Sequence, residues 1–176
     1  MMERINATGD PAETAATDTP APDPSGQGAA LAREYLTFQV GPEEYAIDIL
    51  AVQEIRRHEP PTRIAGAPAH IKGVINLRGV VLPIVDLRVR LGCDQITDKP
   101  TTVCIVLKLG NRMVGVVVDG VTDVSELPSD AIKPAPEMAS AVDAAFVSGL
   151  AKLHDRMLIV LDIVGMVNAP SFGLSH

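Results

Sequence analysis

The sequence predicts an all-β protein of two similar halves, each a small antiparallel barrel with only short helices. Three observations carry that expectation. The chain nearly repeats itself: displaced by 69 positions, Leu36–Ile55 lies over Ile105–Val124 without a gap, and displaced by 76, His70–Leu87 lies over Phe146–Ile163. Gly41 then meets Gly110, Gly73 meets Gly149, Leu77 meets Leu153 and Asp86 meets Asp162. A doubled unit of this kind folds as two similar substructures packed together. Each copy is also a series of short aliphatic and β-branched runs punctuated by Gly and Pro, which is the pattern of strands and turns. Finally, a unit of about 60 residues is marginal alone, so the halves are expected to share an apolar contact and to unfold together.

Taken in order, residues 1–32 are rich in Ala, Pro, Thr, Asp and Gly. They cannot bury enough apolar surface to offset the entropy of ordering them and are read as a disordered acidic tail. A single domain is expected over 33–168, its repeats covering roughly 36–87 and 105–163, with a short tail over 169–176. Tyr35–Val40 and Tyr45–Ile49 form a hairpin around Gly41-Pro42-Glu43-Glu44, and Cys104–Leu109 and Met113–Val118 repeat it around Gly110-Asn111-Arg112. Extended pieces follow at Gln53–Arg57 and Thr122–Leu127, closed by Pro60-Pro61 and Pro128. Pro68–Ile71 allows one helical turn before Gly73. Val80–Val85 and Met157–Leu161 are buried strands, with an edge or bulge expected where Pro83 removes a ladder donor. Asp86 and Asp162, at twin positions, each suit the N-cap of a short helix that ends near Gly92 or Asn168.

Composition narrows the functional classes. Of 176 residues, 47% are hydrophobic but only 3% aromatic, so the core is aliphatic. The longest apolar stretches are too short to cross a bilayer, and the N-terminus has no apolar signal core, so a cytoplasmic protein without membrane insertion is expected. Net charge is −7 with no basic stripe, which argues against nucleic acid. Cys93 and Cys104 are too few for a disulfide framework. The four His residues lack metal-ligand spacing, and no phosphate loop, dinucleotide fingerprint or nucleophile elbow is present. A protein that is not an enzyme and carries no cofactor or metal is therefore expected.

One segment stands out, and it reads either as a turn whose Arg simply lies on the surface or as a site. Asn76-Leu77-Arg78-Gly79 sits between two apolar runs, and its Arg needs a route to solvent or a partner. The second copy has Lys152-Leu153-His154-Asp155 there, so the Leu is shared and the Arg and Gly are not. Acidity is kept between Glu54 and Asp123. A Glu54–Arg78 ion pair would hold the guanidinium and present it to an acidic or amide-rich partner.

Tyr45-Ala46-Ile47-Asp48-Ile49, Val52-Gln53-Glu54-Ile55-Arg56, Ile71-Lys72-Gly73-Val74-Ile75-Asn76-Leu77-Arg78-Gly79, Pro83-Ile84-Val85-Asp86-Leu87-Arg88 and Val116-Val117-Val118-Asp119-Gly120-Val121 closely resemble the CheW coupling proteins of bacterial chemotaxis. The resemblance runs from about Arg33 to Val167. It implies two similar five-stranded barrels around a shared core. It further implies a non-catalytic adaptor between the CheA histidine kinase, through its regulatory domain, and the cytoplasmic tip of methyl-accepting chemoreceptors. Other CheW-like domains are further partners, and the protein would be recruited to membrane-associated receptor arrays. By match, Ile49, Val52, Glu54 and Arg78 would meet the receptor and Gly73 and Gly79 would set the backbone of the groove, while the kinase contacts stay unassigned. Alternatives are a CheW-like coupler of a surface-motility or second-messenger pathway, and a stand-alone regulatory ligand-binding barrel.

Overall fold

A computed structural model describes residues 31–135 and 144–174. The segment 1–32, read as a disordered tail, lies outside the described residues except for Leu31 and Ala32. Eleven strands follow: β1 (Ala32–Val40), β2 (Glu43–Asp48), β3 (Val52–Arg57), β4 (Ile71–Leu77), β5 (Val80–Asp86), β6 (Val103–Leu109), β7 (Arg112–Val118), β8 (Gly120–Pro128), β9 (Ile132–Lys133), β10 (Val147–Leu153) and β11 (Arg156–Leu161). Two short helices, α1 (Leu87–Arg90) and α2 (Ile163–Asn168), follow β5 and β11. The all-β class with short helices is as expected. Asp86 and Asp162 cap these helices, accepting from the amides of Arg88 and Gly165. Pro83 lies just before the point where β5 begins to pair with β7, so that side of the strand is an edge there.

The strands form two sheets, ordered β8-β1-β2-β11-β10-β9 and β3-β6-β7-β5-β4. Replacing each strand of the second sheet by its twin from the sequence repeat yields the first five of the other. The repeat is therefore real, but neither copy builds its own sheet. Each sheet takes its central hairpin from one copy and its remaining strands from the other. The expectation of one antiparallel barrel per copy is corrected accordingly. The exchange is made by parallel pairings, β2 with β11 and β5 with β7, at twin registers such as Val160 with Ala46 and Ile84 with Gly115. Apolar periodicity fixes which face of a strand is buried, but not which hairpin it pairs with.

The barrels also do not close as hydrogen-bonded ladders. Instead the sheets are rolled. A flat sheet would place β8 and β9 about 24 Å apart. Only Ser129–Ala131 separates them in sequence, and that connection spans at most about 14 Å. In the other sheet Thr62, five residues after β3, makes a bridge to Val74 on β4 with two hydrogen bonds of 2.9 Å. Pro60 and Pro61 lack amide donors and interrupt the ladder before that bridge.

Rolling gives each sheet an inner apolar face. Leu77, Leu82, Ile84, Cys104, Val106 and Val117 fill one, and Tyr35, Ala46, Leu127, Ala151, Leu158 and Val160 the other. Alternate residues of the same strands meet between the sheets. Leu36, Phe38 and Ile47 pack there with Ile105, Leu107 and Val116 in the shared core that the repeat implied. Phe172, in the stretch assigned by sequence to a tail, is fully buried in that core and stacks obliquely with His70. One bulky aromatic close to a chain end gave no periodic signal.

Candidate partner-binding site

Glu54 and Arg78 come from opposite margins of the rolled five-stranded sheet. Glu54 is on β3, whose residues alternate between half-buried (Val52, Glu54, Arg56) and exposed (Gln53, Ile55, Arg57). Arg78 and Gly79 are the two turn residues between β4 and β5, and both have left-handed backbone, φ 51° and 87°. Gly accepts that conformation freely, whereas a residue with a Cβ is strained there. Asn76 stabilises the turn by accepting the Gly79 amide at 2.9 Å. Arg78 then reaches across the sheet seam and donates to Glu54 at 2.5 Å, with 65% of its side chain still exposed. The hydrogen bond from Arg78 holds the Glu54 carboxyl below its ordinary range. The ion pair anticipated from sequence is therefore present.

The second half shows what is special about the first. Its corresponding turn, His154-Asp155, repeats the left-handed backbone at φ 49° and 70°. Its acid, Asp123, accepts hydroxyl hydrogen bonds from Thr37 on the neighbouring strand at 2.8 Å and from Ser125 at 3.0 Å. Arg156, one residue past that turn, donates to Glu44 at 2.9 Å and forms a longer ion pair with Asp123 at 4.0 Å. The scaffold is thus duplicated, but the first copy's guanidinium stands in the turn itself and is 65% exposed, whereas Arg156 of the second follows the turn and is 33% exposed.

Gly73 has φ 144°, and a Cβ there would lie 2.0 Å from the Thr62 carbonyl oxygen. Its twin Gly149 would put a Cβ 2.4 Å from the Lys133 oxygen. Both glycines admit the segment that crosses the sheet margin. Ile49 lies in a 3-10 turn, Ile49–Ala51, capped by Asp48, and Val52 begins β3. Both are half-buried and pack against the shared core. They adjoin Glu54 along the chain, while the most exposed apolar side chain in this stretch is Leu50, at 85%.

Sequence reasoning did not anticipate the charge network around Arg88. This side chain is 3% exposed; it donates to both oxygens of Asp86 at 2.9 Å and to Asp98 at 2.9 Å, and lies 3.4 Å from Asp119. Asp119 in turn accepts the Gly41 amide at 2.7 Å, joining the first hairpin to the other sheet. Burial opposes the charge on Arg88, but Asp86 and Asp98 outweigh it and raise its pKa. The available signal was an Asp two residues before an Arg at the end of an apolar strand. Among the described residues, no cluster of three His, Cys, Asp or Glu side chains is arranged to hold a metal ion, and no helix is long and apolar enough to cross a membrane.

Two interlocked sheets around one core, with an exposed, paired cation at a sheet seam, define the class as a duplicated all-β scaffold. The model of the CheW-like domain matches residues 34–171. Chemotaxis protein CheW of Klebsiella aerogenes is 48% identical over 147 residues, covering 84% of this chain and 89% of the relative. The Bacillus subtilis protein of that name is 33% identical over 136 residues, covering 77% and 87%. The crystal structure of scaffolding protein TtCheW from Thermoanaerobacter tengcongensis superposes with a TM-score of 0.71 at 29% identity, covering 79% of this chain and 90% of that one. The chain belongs to the CheW family of chemotaxis coupling proteins.

Proposed function

We propose that this protein couples methyl-accepting chemoreceptors to the CheA histidine kinase without catalysing any reaction itself. In this account it is cytoplasmic and is recruited to receptor arrays at the membrane. The receptor tip, a helical hairpin, lies along the seam bearing Glu54 and Arg78, with Ile49 and Val52 as apolar contacts and Gly73 and Gly79 shaping the backbone. An amphipathic helix set against preformed aliphatic strands is an established recognition mode. The domain is proposed to end beyond Asn168, because Phe172 belongs to the core.

The observation that carries this proposal is the Arg78 guanidinium, 65% exposed and paired with Glu54 from a left-handed turn position that His154 occupies in the second half. Both halves share the left-handed hairpin turn, so what sets Arg78 apart is a long, exposed cation where Gly or Asn would suit the backbone better. The test uses purified full-length chain, kinase and receptor cytoplasmic fragment, scored for ternary complex and for kinase autophosphorylation. Arg78→Ala should leave the circular dichroism spectrum unchanged and weaken both readouts about tenfold or more. A folded Arg78→Ala protein that assembles and stimulates normally would refute the proposal.

A further inference from the structure

The Glu54 carboxylate is shared between two guanidinium groups. Oε1 accepts from Nη2 of Arg78, and Oε2 lies 3.6 Å from Nη1 of Arg56. Arg56 is the more sheltered cation, with 26% of its side chain exposed against 65% for Arg78, and its Nη2 donates to Glu59 at 3.4 Å. A carboxylate's final torsion is otherwise broad, so a cation on each oxygen restricts it. The second half supports this geometry independently. Displacement by 69 positions places Ser125 over Arg56, and the Ser125 hydroxyl donates to Asp123, two residues earlier, at 3.0 Å. Both copies therefore meet the acid from position i+2, one with a hydroxyl hydrogen bond at 3.0 Å and the other with a guanidinium ion pair at 3.6 Å.

We infer that Arg56 is a positioning residue of the partner site, which holds Glu54 so that Glu54 can present Arg78. This rests on the role proposed for Arg78. It differs from simple charge supply, because Arg56 acts through its neighbour and its effect should vanish when Arg78 is absent.

Two measurements test it. In the free full-length protein, nitrogen-15 relaxation at Nε of Arg78 should show a clear loss of order on Arg56→Ala. For binding of the receptor cytoplasmic fragment, Arg56→Ala should weaken affinity about threefold to tenfold when Arg78 is present and by less than about twofold in an Arg78→Ala background. Unchanged order at Arg78, or equal losses in both backgrounds, would overturn the inference, the second by placing Arg56 in direct contact with the partner. Normal binding by Arg78→Ala alone would instead sink the role of Arg78, and the relaxation measurement would still decide whether Arg56 positions it.

Discussion

Arg78 combines a costly backbone with an exposed charge, and each half of that combination can be separated by substitution. Gly suits the left-handed turn better than Arg does, and an ion pair this exposed adds little to stability. Arg78→Gly should therefore leave the thermal midpoint unchanged or raise it, while abolishing receptor coupling; a marked fall in the midpoint would make Arg78 a structural residue. Glu54 carries the reciprocal signature. Its folded pKa is depressed, so any stability it contributes is present above the unfolded value, about 4.3, and is lost as pH falls through the lower folded one. A carboxyl-detected titration should find Glu54 below the usual range and find it returned toward that range in Arg78→Ala. Cys104 offers a check on the inner face of the five-stranded sheet. Burial pushes its thiol up to about 11, so it should resist thiol reagents at pH 8 until the protein unfolds.

Strands, turns and caps were largely legible, because each rests on local chemistry. Glycines mark the turns, Asp86 and Asp162 cap their helices, and the Glu54–Arg78 pair followed from setting a cation the second copy lacks against an acid both copies keep. Pairing between distant strands left no such trace. Nothing in β2 announces that its neighbour is β11, and Thr62 gives no sign of reaching β4. Those margins depend on Gly73, where a Cβ would collide with the Thr62 backbone. Gly73→Ala should cost about 1–3 kcal/mol and expose the amides of Thr62 and Val74 to hydrogen exchange; protection as in the parent protein would show that the margin is not held this way. The Arg88 network was hidden because its acids are scattered over Asp86, Asp98 and Asp119. Arg88→Met keeps much of the volume but strands buried carboxylates, so a loss of roughly 3–5 kcal/mol is expected in denaturant titration.

At the scale of the molecule, exchanged hairpins and a common core make the two sheets one folding unit. Separating them would expose Phe38, Ile47, Ile105 and Val116 together, each worth about 1.5–3 kcal/mol of burial. Calorimetry should give one transition with equal van't Hoff and calorimetric enthalpies, and two resolved transitions would contradict this. Charge, by contrast, is divided. Residues 52–118, which hold the five-stranded sheet, carry ten Lys and Arg against five Asp and Glu, while the other described residues carry four against ten. Such a dipolar body orients charged partners before contact, and salt weakens that effect. Arg78 stands on the positive half. The measurement that most directly separates a presented charge from a merely structural pair is a reversal, Glu54→Arg with Arg78→Glu, assayed for ternary complex formation with kinase and receptor fragment. A folded protein with its ion pair restored but without coupling is the predicted result; full recovery of coupling would show that the sign of the exposed charge does not matter, and the account would fail.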